Sequence, residues 1–175
     1  GISLNWFGLP LIPSFIVGLA SGTLLGFLNG ILVFHFQLPS FLVTFGMMTS
    51  LAGLANYLTK SAPIELIEIK NFDLLGRGYI GPVPIALLIA IIAYFILRTV
   101  LVHTSFGRVI YALGSNKKVA MLSGRNIKNT GIGAYALAGF LVAITAIIMS
   151  SRIHSAQPDL APVLAYDAIA AAAVG

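Results

Sequence analysis

Side chains that could carry out covalent or metal chemistry are few in this chain and lie far apart. The chain contains no cysteine, five Asp and Glu residues and three histidines, His35, His103 and His154. A metal site needs several ligands that converge, so the separated histidines predict interfacial side chains and no metal centre. The sequence has no G-x-x-x-x-G-K-[ST] phosphate loop, so it does not hydrolyse ATP through that device. We therefore predict no catalytic residues and no cofactor.

Uncharged polar residues are spaced along the long apolar segments of the chain. Thr44, Met48, Ala52, Asn56 and Thr59 recur at helical spacing and share one face of a helix. A mildly polar, uncharged stripe suits passage of a neutral polyol or sugar better than passage of an ion, which usually leaves a charge within the membrane. Hydrogen bonding between helices is the alternative use of these side chains. The predicted pathway residues are Asn29, Thr44, Met48, Asn56 and Asp167.

Asp167 is the one acid expected near membrane depth. It enters an alanine-rich helix. There it is either a gate or pathway residue on the outer side, or an acid in the first helical turn that complements the helix dipole or pairs with Arg152.

Composition and run length place these residues in membrane-spanning helices. The chain is 58% hydrophobic and 9% charged, whereas a soluble domain carries about 25% charge. A bilayer span needs about 20 apolar residues, and Pro39 divides the first long run into two passes. We predict an all-α integral membrane fold, a polytopic helix bundle of four spans plus a partial C-terminal helix. The predicted spans are Pro10–Phe36, Ser40–Thr59, Val83–Leu101 and Thr130–Ser151.

Basic residues predict the orientation of the spans. Six of the ten Lys and Arg residues, with no acid among them, are Arg98, Arg108, Lys117, Lys118, Arg125 and Lys128. Such an excess marks the cytoplasmic side. Residues 102–129 are therefore predicted to form a cytoplasmic loop and residues 60–82 a periplasmic loop. The net charge of +5 follows from orientation and anionic lipid, without a nucleic-acid partner.

Glycines in the first span form a ladder with one glycine every four residues. Glycine at this period lets another helix approach closely. We predict a helix-packing role for Gly18, Gly22, Gly26 and Gly30.

Within the basic loop, Asn116 is a good helix N-cap and Gly124 a good terminator. They predict a short helix, Lys117–Ser123. Lys117 and Lys118 oppose the helix dipole, yet Val119, Met121 and Leu122 are apolar. A helix of this kind is expected to dock against another surface, and a solvated loop is the alternative.

An ordered set of motifs runs through nearly the whole chain. The motifs are Phe27-Leu28-Asn29-Gly30-Ile31-Leu32-Val33, Leu38-Pro39-Ser40-Phe41-Leu42-Val43-Thr44-Phe45-Gly46-Met47-Met48, Thr104-Ser105-Phe106-Gly107-Arg108, Tyr111-Ala112-Leu113-Gly114-Ser115-Asn116, Leu122-Ser123-Gly124, Ser151-Arg152, Ser155-Ala156-Gln157-Pro158 and Asp167-Ala168-Ile169-Ala170-Ala171. With them the chain resembles the inner-membrane permease subunits of bacterial ABC importers for monosaccharides of the ribose, xylose and galactose group.

The resemblance implies a permease that works by alternating access in the bacterial inner membrane. It also implies a second permease copy, a cytoplasmic ATP-binding subunit that hydrolyses ATP, and a periplasmic sugar-binding protein. The coupling helix of that family matches Asn116, Lys117, Lys118, Val119, Ala120, Met121, Leu122, Ser123 and Gly124. Members usually continue beyond both ends of this chain, so a fragment of a larger permease is expected.

Two departures bear on the residues expected to act. Lys117 and Lys118 stand where the family commonly has an acid, and Ala165 stands where it has a Glu, whose role is not carried over. The alternatives are a permease for branched-chain amino acids or nucleosides, an ion-coupled secondary transporter, and a noncatalytic membrane scaffold. An ion-coupled carrier would need a midplane acid or a broken-helix ion site, and none of the four predicted spans holds an acid.

Overall fold

Helices dominate the architecture. The computed structural model describes residues 10–66, 72–115, 127–158 and 160–174. In chain order the elements are α1 (Leu11–Phe34), α2 (Ser40–Thr59), β1 (Ile64–Glu65), α3 (Asp73–Arg77), β2 (Tyr79–Ile80), β3 (Val83–Pro84), α4 (Ile85–His103), α5 (Ser105–Ser115), α6 (Ile127–Ile153), β4 (Ser155–Ala156) and α7 (Leu160–Val174). Strands β2 and β3 form a short antiparallel hairpin, and β1 pairs with β4 across the chain.

Four of these helices, α1, α2, α4 and α6, are long and apolar enough to cross a membrane by length and composition. The four predicted spans and the polytopic helical fold are confirmed. Helix α2 has the predicted ends. Prolines set the starts of α1, α2 and α4, since Pro10, Pro39 and Pro84 each precede a first helical residue and proline cannot donate a backbone hydrogen bond.

Helices α1 and α6 form the main packed pair of the structure. Helix α6 starts at Ile127, three residues before the predicted span, and ends at Ile153. Helix α4 contains no buried residue, and α2 has one, Val43. The α1–α6 pair is therefore the most extensively packed part of the described structure.

One end of this pair carries a small folded segment, which we call the cap, made of residues 64–66 and 72–77. Ile64 pairs with Ala156 and Glu65 with Ser155 in the β1–β4 ladder. The apolar side chains of Ile64, Leu66 and Phe72 are buried together against Leu11, Phe15 and Ala156. The cap, which is part of the segment predicted as a periplasmic loop, thus packs on the ends of α1 and α6.

At the other end, α5 occupies part of the segment predicted as a loop between residues 102 and 129. Thr104 separates α4 from α5, and its hydroxyl accepts a hydrogen bond from the Gly107 backbone N–H at 3.3 Å. Val109 is buried with Ile127, and Phe34, Ala112 and Leu113 pack around them. Apolar residues at i, i+3, i+4 and i+7 (Phe106, Val109, Ile110 and Leu113) explain this helix. Its contacts join the ends of α1 and α6.

Helix α7 corrects the expectation for Asp167. The helix begins at Leu160 and has no acid in its first turn, so Asp167 lies in its middle and does not complement the positive end of the dipole. Pro162 lies in the first turn of α7, and proline interrupts the interior of a helix. Proline is nevertheless tolerated in a first helical turn, where its missing N–H has no partner in any case.

Candidate functional site: the surroundings of helix α6

The glycine ladder lies against α6 at its three inner positions. An ideal Cβ on Gly22 would lie 2.6 Å from the Ala143 Cβ, and one on Gly30 would lie 2.8 Å from the Ile132 Cα. A Cβ on Gly26 would overlap the Tyr135 carbonyl oxygen, at 2.3 Å. Side chains do not occur at such distances, so the two backbones are as close as glycine alone permits.

The outermost glycine of the ladder has different surroundings. A Cβ on Gly18 would lie 3.7 Å from the Ile147 Cδ1, which is ordinary van der Waals contact. Gly139 of α6 shows the same close approach from the other helix, because a Cβ on it would lie 2.3 Å from the Gly22 carbonyl oxygen. Helices α1 and α6 are therefore closest between Gly22 and Gly30, and they lie further apart at Gly18, towards the cap.

The cap is fastened to α6 by a fully buried hydroxyl. Ser151 is 0% exposed. Its Oγ accepts a hydrogen bond from the Gly76 N–H at 2.9 Å and donates one to the Phe72 carbonyl oxygen. Arg77 Nε adds a hydrogen bond of 3.0 Å to the Arg152 carbonyl oxygen. One side chain thus satisfies two backbone groups of a segment about 75 residues away in sequence.

A cavity of about 540 Å³ lies between α2, α6 and α7, at the end of α6 to which the cap is fastened. This volume lies within the usual range of small-molecule sites, about 300–1,000 Å³. Most of the lining is apolar, with a few polar groups. The lining residues are Met48, Leu141, Val142, Thr145, Ala146, Met149, Ser150, Ala156, Gln157, Leu164, Ala165 and Ala168.

The polar groups of this cavity are hydroxyls and one amide. Among the residues described around it, no lining side chain carries a charge. The Thr145 hydroxyl donates to the Leu141 carbonyl oxygen at 3.1 Å, so its lone pairs remain available as acceptors. Gln157 is exposed and offers both a donor and an acceptor. An apolar cavity with uncharged hydrogen-bonding groups can bind a neutral polar molecule without burying an unpaired charge.

Met48 is the one predicted pathway residue that lines this cavity. Thr44 is exposed and donates to the Ser40 carbonyl oxygen of its own helix at 3.0 Å. Asn56 Nδ2 likewise donates to the Ala52 carbonyl oxygen at 3.1 Å. The Asn29 Oδ1 is buried in α1 and has no hydrogen-bond partner among the described residues. The polar stripe of α2 is therefore engaged largely with its own backbone.

Asp167 lies outside this cavity, and its side chain is exposed. Within the part of the chain that the structure describes, it forms no ion pair with Arg152. The neighbouring residues Ala165 and Ala168 line the cavity instead.

The sequence patterns missed three polar lining residues: Thr145, Ser150 and Gln157. Gln157 lies within the Ser155–Pro158 motif, which was a signal that could have identified it. Thr145 and Ser150 do not belong to a polar stripe along α6. Their role depends on where α2 and α7 pack, which the α6 sequence does not encode.

The predicted coupling residues, Asn116, Lys117, Lys118, Val119, Ala120, Met121, Leu122, Ser123 and Gly124, lie outside the described residues. The elements on either side of them are described. Helix α5 ends at Ser115 and α6 starts at Ile127, and Val109 packs on Ile127. The predicted coupling residues are thus flanked in sequence by two helices that contact each other.

The four helices that are long and apolar enough to cross a membrane, together with the glycine-packed pair, define the class as a polytopic membrane protein. Residues 2–175 match the family described as the permease component of the branched-chain amino acid transport system. The chain belongs to this permease family.

Several relatives are similar to the chain over most of its length. The ribose import permease protein of Haemophilus influenzae is 36% identical over 95% of the chain and 53% of its own length. The ribose import permease protein of Bacillus subtilis is 36% identical over 84% of the chain and 46% of its own length. The xylose transport system permease protein of Haemophilus influenzae is 31% identical over 97% of the chain and 54% of its own length.

The chain therefore spans about half the length of the curated relatives it matches. No solved structure matches it.

Proposed function

We propose that this chain is part of the permease subunit of an ATP-driven importer that carries a monosaccharide across the bacterial inner membrane by alternating access. The observation that carries the proposal is the uncharged cavity between α2, α6 and α7, with Thr145, Ser150 and Gln157 in its lining. Hydroxyl and amide groups suit the hydroxyls of a sugar, because each can donate or accept a hydrogen bond. The names of the relatives, which are ribose and xylose permeases, agree with this chemistry.

A branched-chain amino acid is the second candidate, since the family description names that substrate. An amino acid brings an ammonium and a carboxylate into the site. Buried charges need paired charges or many hydrogen bonds, and the described lining of the cavity has no charged side chain. The cavity chemistry therefore favours the neutral sugar.

The transport test uses the full-length permease with its ATP-binding subunit and binding protein in cells that lack the permease gene. Uptake of radiolabelled ribose, xylose, fructose and leucine is compared between complemented and uncomplemented cells. We expect complementation to restore uptake of at least one sugar and not of leucine. Restored leucine uptake without uptake of any sugar would contradict the proposal.

The proposed orientation places residues 102–129 in the cytoplasm and residues 60–82 in the periplasm. The basic residues of the first segment support it. Because the chain has no cysteine, Ser115→Cys and the exposed Ser61→Cys each introduce one thiol into it. An impermeant thiol reagent applied to intact spheroplasts should label Ser61→Cys and leave Ser115→Cys unlabelled. The reverse pattern would overturn the orientation.

Residues 116–124 are proposed to transmit ATP hydrolysis to the spans as a coupling helix docked on the ATP-binding subunit. The flanking contact between Val109 and Ile127 supports this proposal, because a force on the segment would reach α6 through packed side chains. An apolar helix face that fills a groove is a common mode of recognition.

In the full-length complex, Met121→Asp would place an unpaired charge in that groove. We expect sugar-stimulated ATP hydrolysis and uptake to fall about tenfold or more, while the amount of permease in the membrane stays the same. The Lys117→Glu variant is the matched control, since it changes charge at the predicted helix start in the direction that the dipole favours. Wild-type uptake and co-purification of the ATP-binding subunit with Met121→Asp would refute this role.

A further inference from the structure

A second cavity, of about 310 Å³, lies between α1 and α6 beneath the cap. Leu66 and Phe72 of the cap line it, and both are 2% exposed. Ser14 and Ser21 line it from α1, where the glycine ladder opens. The Ser21 hydroxyl donates to the Gly18 carbonyl oxygen at 2.9 Å, which leaves its lone pairs as acceptors. This cavity is also free of charged lining residues within the described chain.

The two cavities share one wall. Val142, Ala146 and Ser150 line both of them. Residues four apart on a helix are neighbours along one face, so these three form a single ridge of α6. The ridge is low, because two of its three side chains are small.

Ser150 differs from the other hydroxyl residues around these cavities. Thr145 and Ser21 each donate to a carbonyl oxygen of their own helix, and Ser151 is bonded to the cap. The half-buried Ser150 hydroxyl has no hydrogen bond to any part of the chain that the structure describes. Serine in a helix can donate to a carbonyl oxygen of its own helix, and the Ser150 hydroxyl does not, so it is available to a bound molecule.

We propose that the two cavities are two lobes of one solute chamber, and that Ser150, on the ridge between them, determines specificity by hydrogen-bonding a hydroxyl of a neutral polyhydroxylated solute. The inference rests on the proposed function, because the solute is the transported sugar. The cap closes the lobe between α1 and α6, and the lobe between α2, α6 and α7 holds Gln157 and Thr145. A solute at the ridge would contact hydroxyl groups from both sides.

The first test is protection from labelling in membrane vesicles that contain the full-length permease, its ATP-binding subunit and its binding protein. A Ser150→Cys variant is treated with a small methanethiosulfonate reagent, with and without saturating ribose, xylose or fructose. We expect the sugar that the wild type transports to slow labelling about threefold or more. Ser50→Cys is the matched control, since Ser50 is exposed on α2 and lines neither cavity, and its labelling rate should not change.

The second test separates binding from folding. Loss of one neutral hydrogen bond corresponds to a change of about 2- to 10-fold in affinity. Ser150→Ala should raise the apparent KM for the transported sugar by that factor, with maximal uptake and membrane level unchanged. Ser150→Thr keeps the hydroxyl and should restore most of the affinity, and Ser50→Ala should match the wild type.

The outcomes distinguish the inference from the proposed function. If the wild type transports a sugar but that sugar neither protects Ser150→Cys nor shows a raised KM with Ser150→Ala, the chamber assignment is wrong. If the wild type transports leucine and no sugar in the same vesicles, the proposed function is wrong, and with it the polyhydroxylated solute.

Discussion

Helix α6 meets its neighbours in two contrasting ways. Towards α1 it presents Gly139 and Ala143, and the backbones of the two helices touch. Towards α2 and α7 it presents Leu141, Thr145 and Met149, and a cavity of about 540 Å³ remains. Helix α6 is thus close-packed against α1 between Gly22 and Gly30, and it lines open space towards α2 and α7.

The difference shows that small residues at a four-residue spacing determine where two membrane helices pack in direct contact. The hydrophobic effect drives helix association only weakly in lipid, because lipid tails are themselves apolar. Close packing therefore supplies most of the attraction between the helices. Where Gly22 and Gly26 face Gly139, the two backbones are in contact. Where threonine and methionine face α2 and α7, space for a solute is left. The close-packed stretch between Gly22 and Gly30 should therefore contribute mainly to stability, and the side facing α2 and α7 mainly to transport.

The largest effect is expected from a methyl group on the close-packed side. In Gly26→Ala the new Cβ would lie 2.3 Å from the Tyr135 carbonyl oxygen and 3.0 Å from the Gly139 Cα. Neither backbone can yield without moving a helix, so we expect a loss of about 3 kcal/mol or more. Gly26→Leu should be worse. Folded full-length permease, measured by fluorescence-detected size exclusion of membrane extracts, should fall several-fold.

Two glycines provide controls for that substitution. Gly18→Ala places its Cβ at 3.7 Å from Ile147, and Gly46→Ala meets nothing within 4 Å. Both should be neutral or slightly stabilising, because alanine is favoured over glycine in a helix by about 1 kcal/mol. Equal yields for Gly26→Ala and Gly18→Ala would show that the contact between α1 and α6 is not required for assembly.

An intermediate effect on stability is expected from a substitution at the end of α6 that carries the cap. Ser151→Ala removes the hydroxyl that joins Gly76 N–H to the Phe72 carbonyl oxygen. Two backbone groups then lose their partner, at a cost of about 2 kcal/mol.

Because this cost falls on the cap, hydrogen–deuterium exchange in residues 72–77 of the Ser151→Ala variant should quicken by an order of magnitude or more. The main melting transition should change less. Ser50→Ala is the matched serine control, and unchanged exchange in the cap would contradict the proposed fastening.

Much of the helical framework could be predicted from sequence, for a physical reason. A membrane span is encoded locally by about 20 apolar residues, so the four spans were found and α2 was placed with its observed ends. Helix α5 was not predicted, since its apolar stripe of Phe106, Val109 and Leu113 lies in a segment dominated by basic residues. Val109 of this stripe packs on Ile127 of the next helix, a contact that a local sequence pattern cannot reveal.

The cavity was harder to predict than the framework because its walls come from distant parts of the chain. Met48, Thr145 and Gln157 lie on three separate segments. The periodicity of α2 identified Met48, but it gave equal weight to Thr44 and Asn56, whose side chains bond to their own helix. Ser151 and Phe72 show the same limit, since a hydrogen bond between residues 79 positions apart leaves no local pattern.

The smallest effect is expected on the open side of α6. Thr145→Val keeps the shape of the side chain and removes a hydroxyl that donates to the Leu141 carbonyl oxygen. That carbonyl lies within the helix, where a bond back from threonine adds little to stability, so the free energy of unfolding should change by less than about 0.5 kcal/mol.

Transport should also respond weakly to Thr145→Val, because the donor of this hydroxyl is already engaged and only its lone pairs face the cavity. We expect the apparent KM for the transported sugar to rise less than about threefold, below the change for Ser150→Ala. Melting of purified protein and uptake in cells measure the two quantities separately. A large loss of folded Thr145→Val would mean that the open side also carries stability, and the contrast between the two sides of α6 would fail.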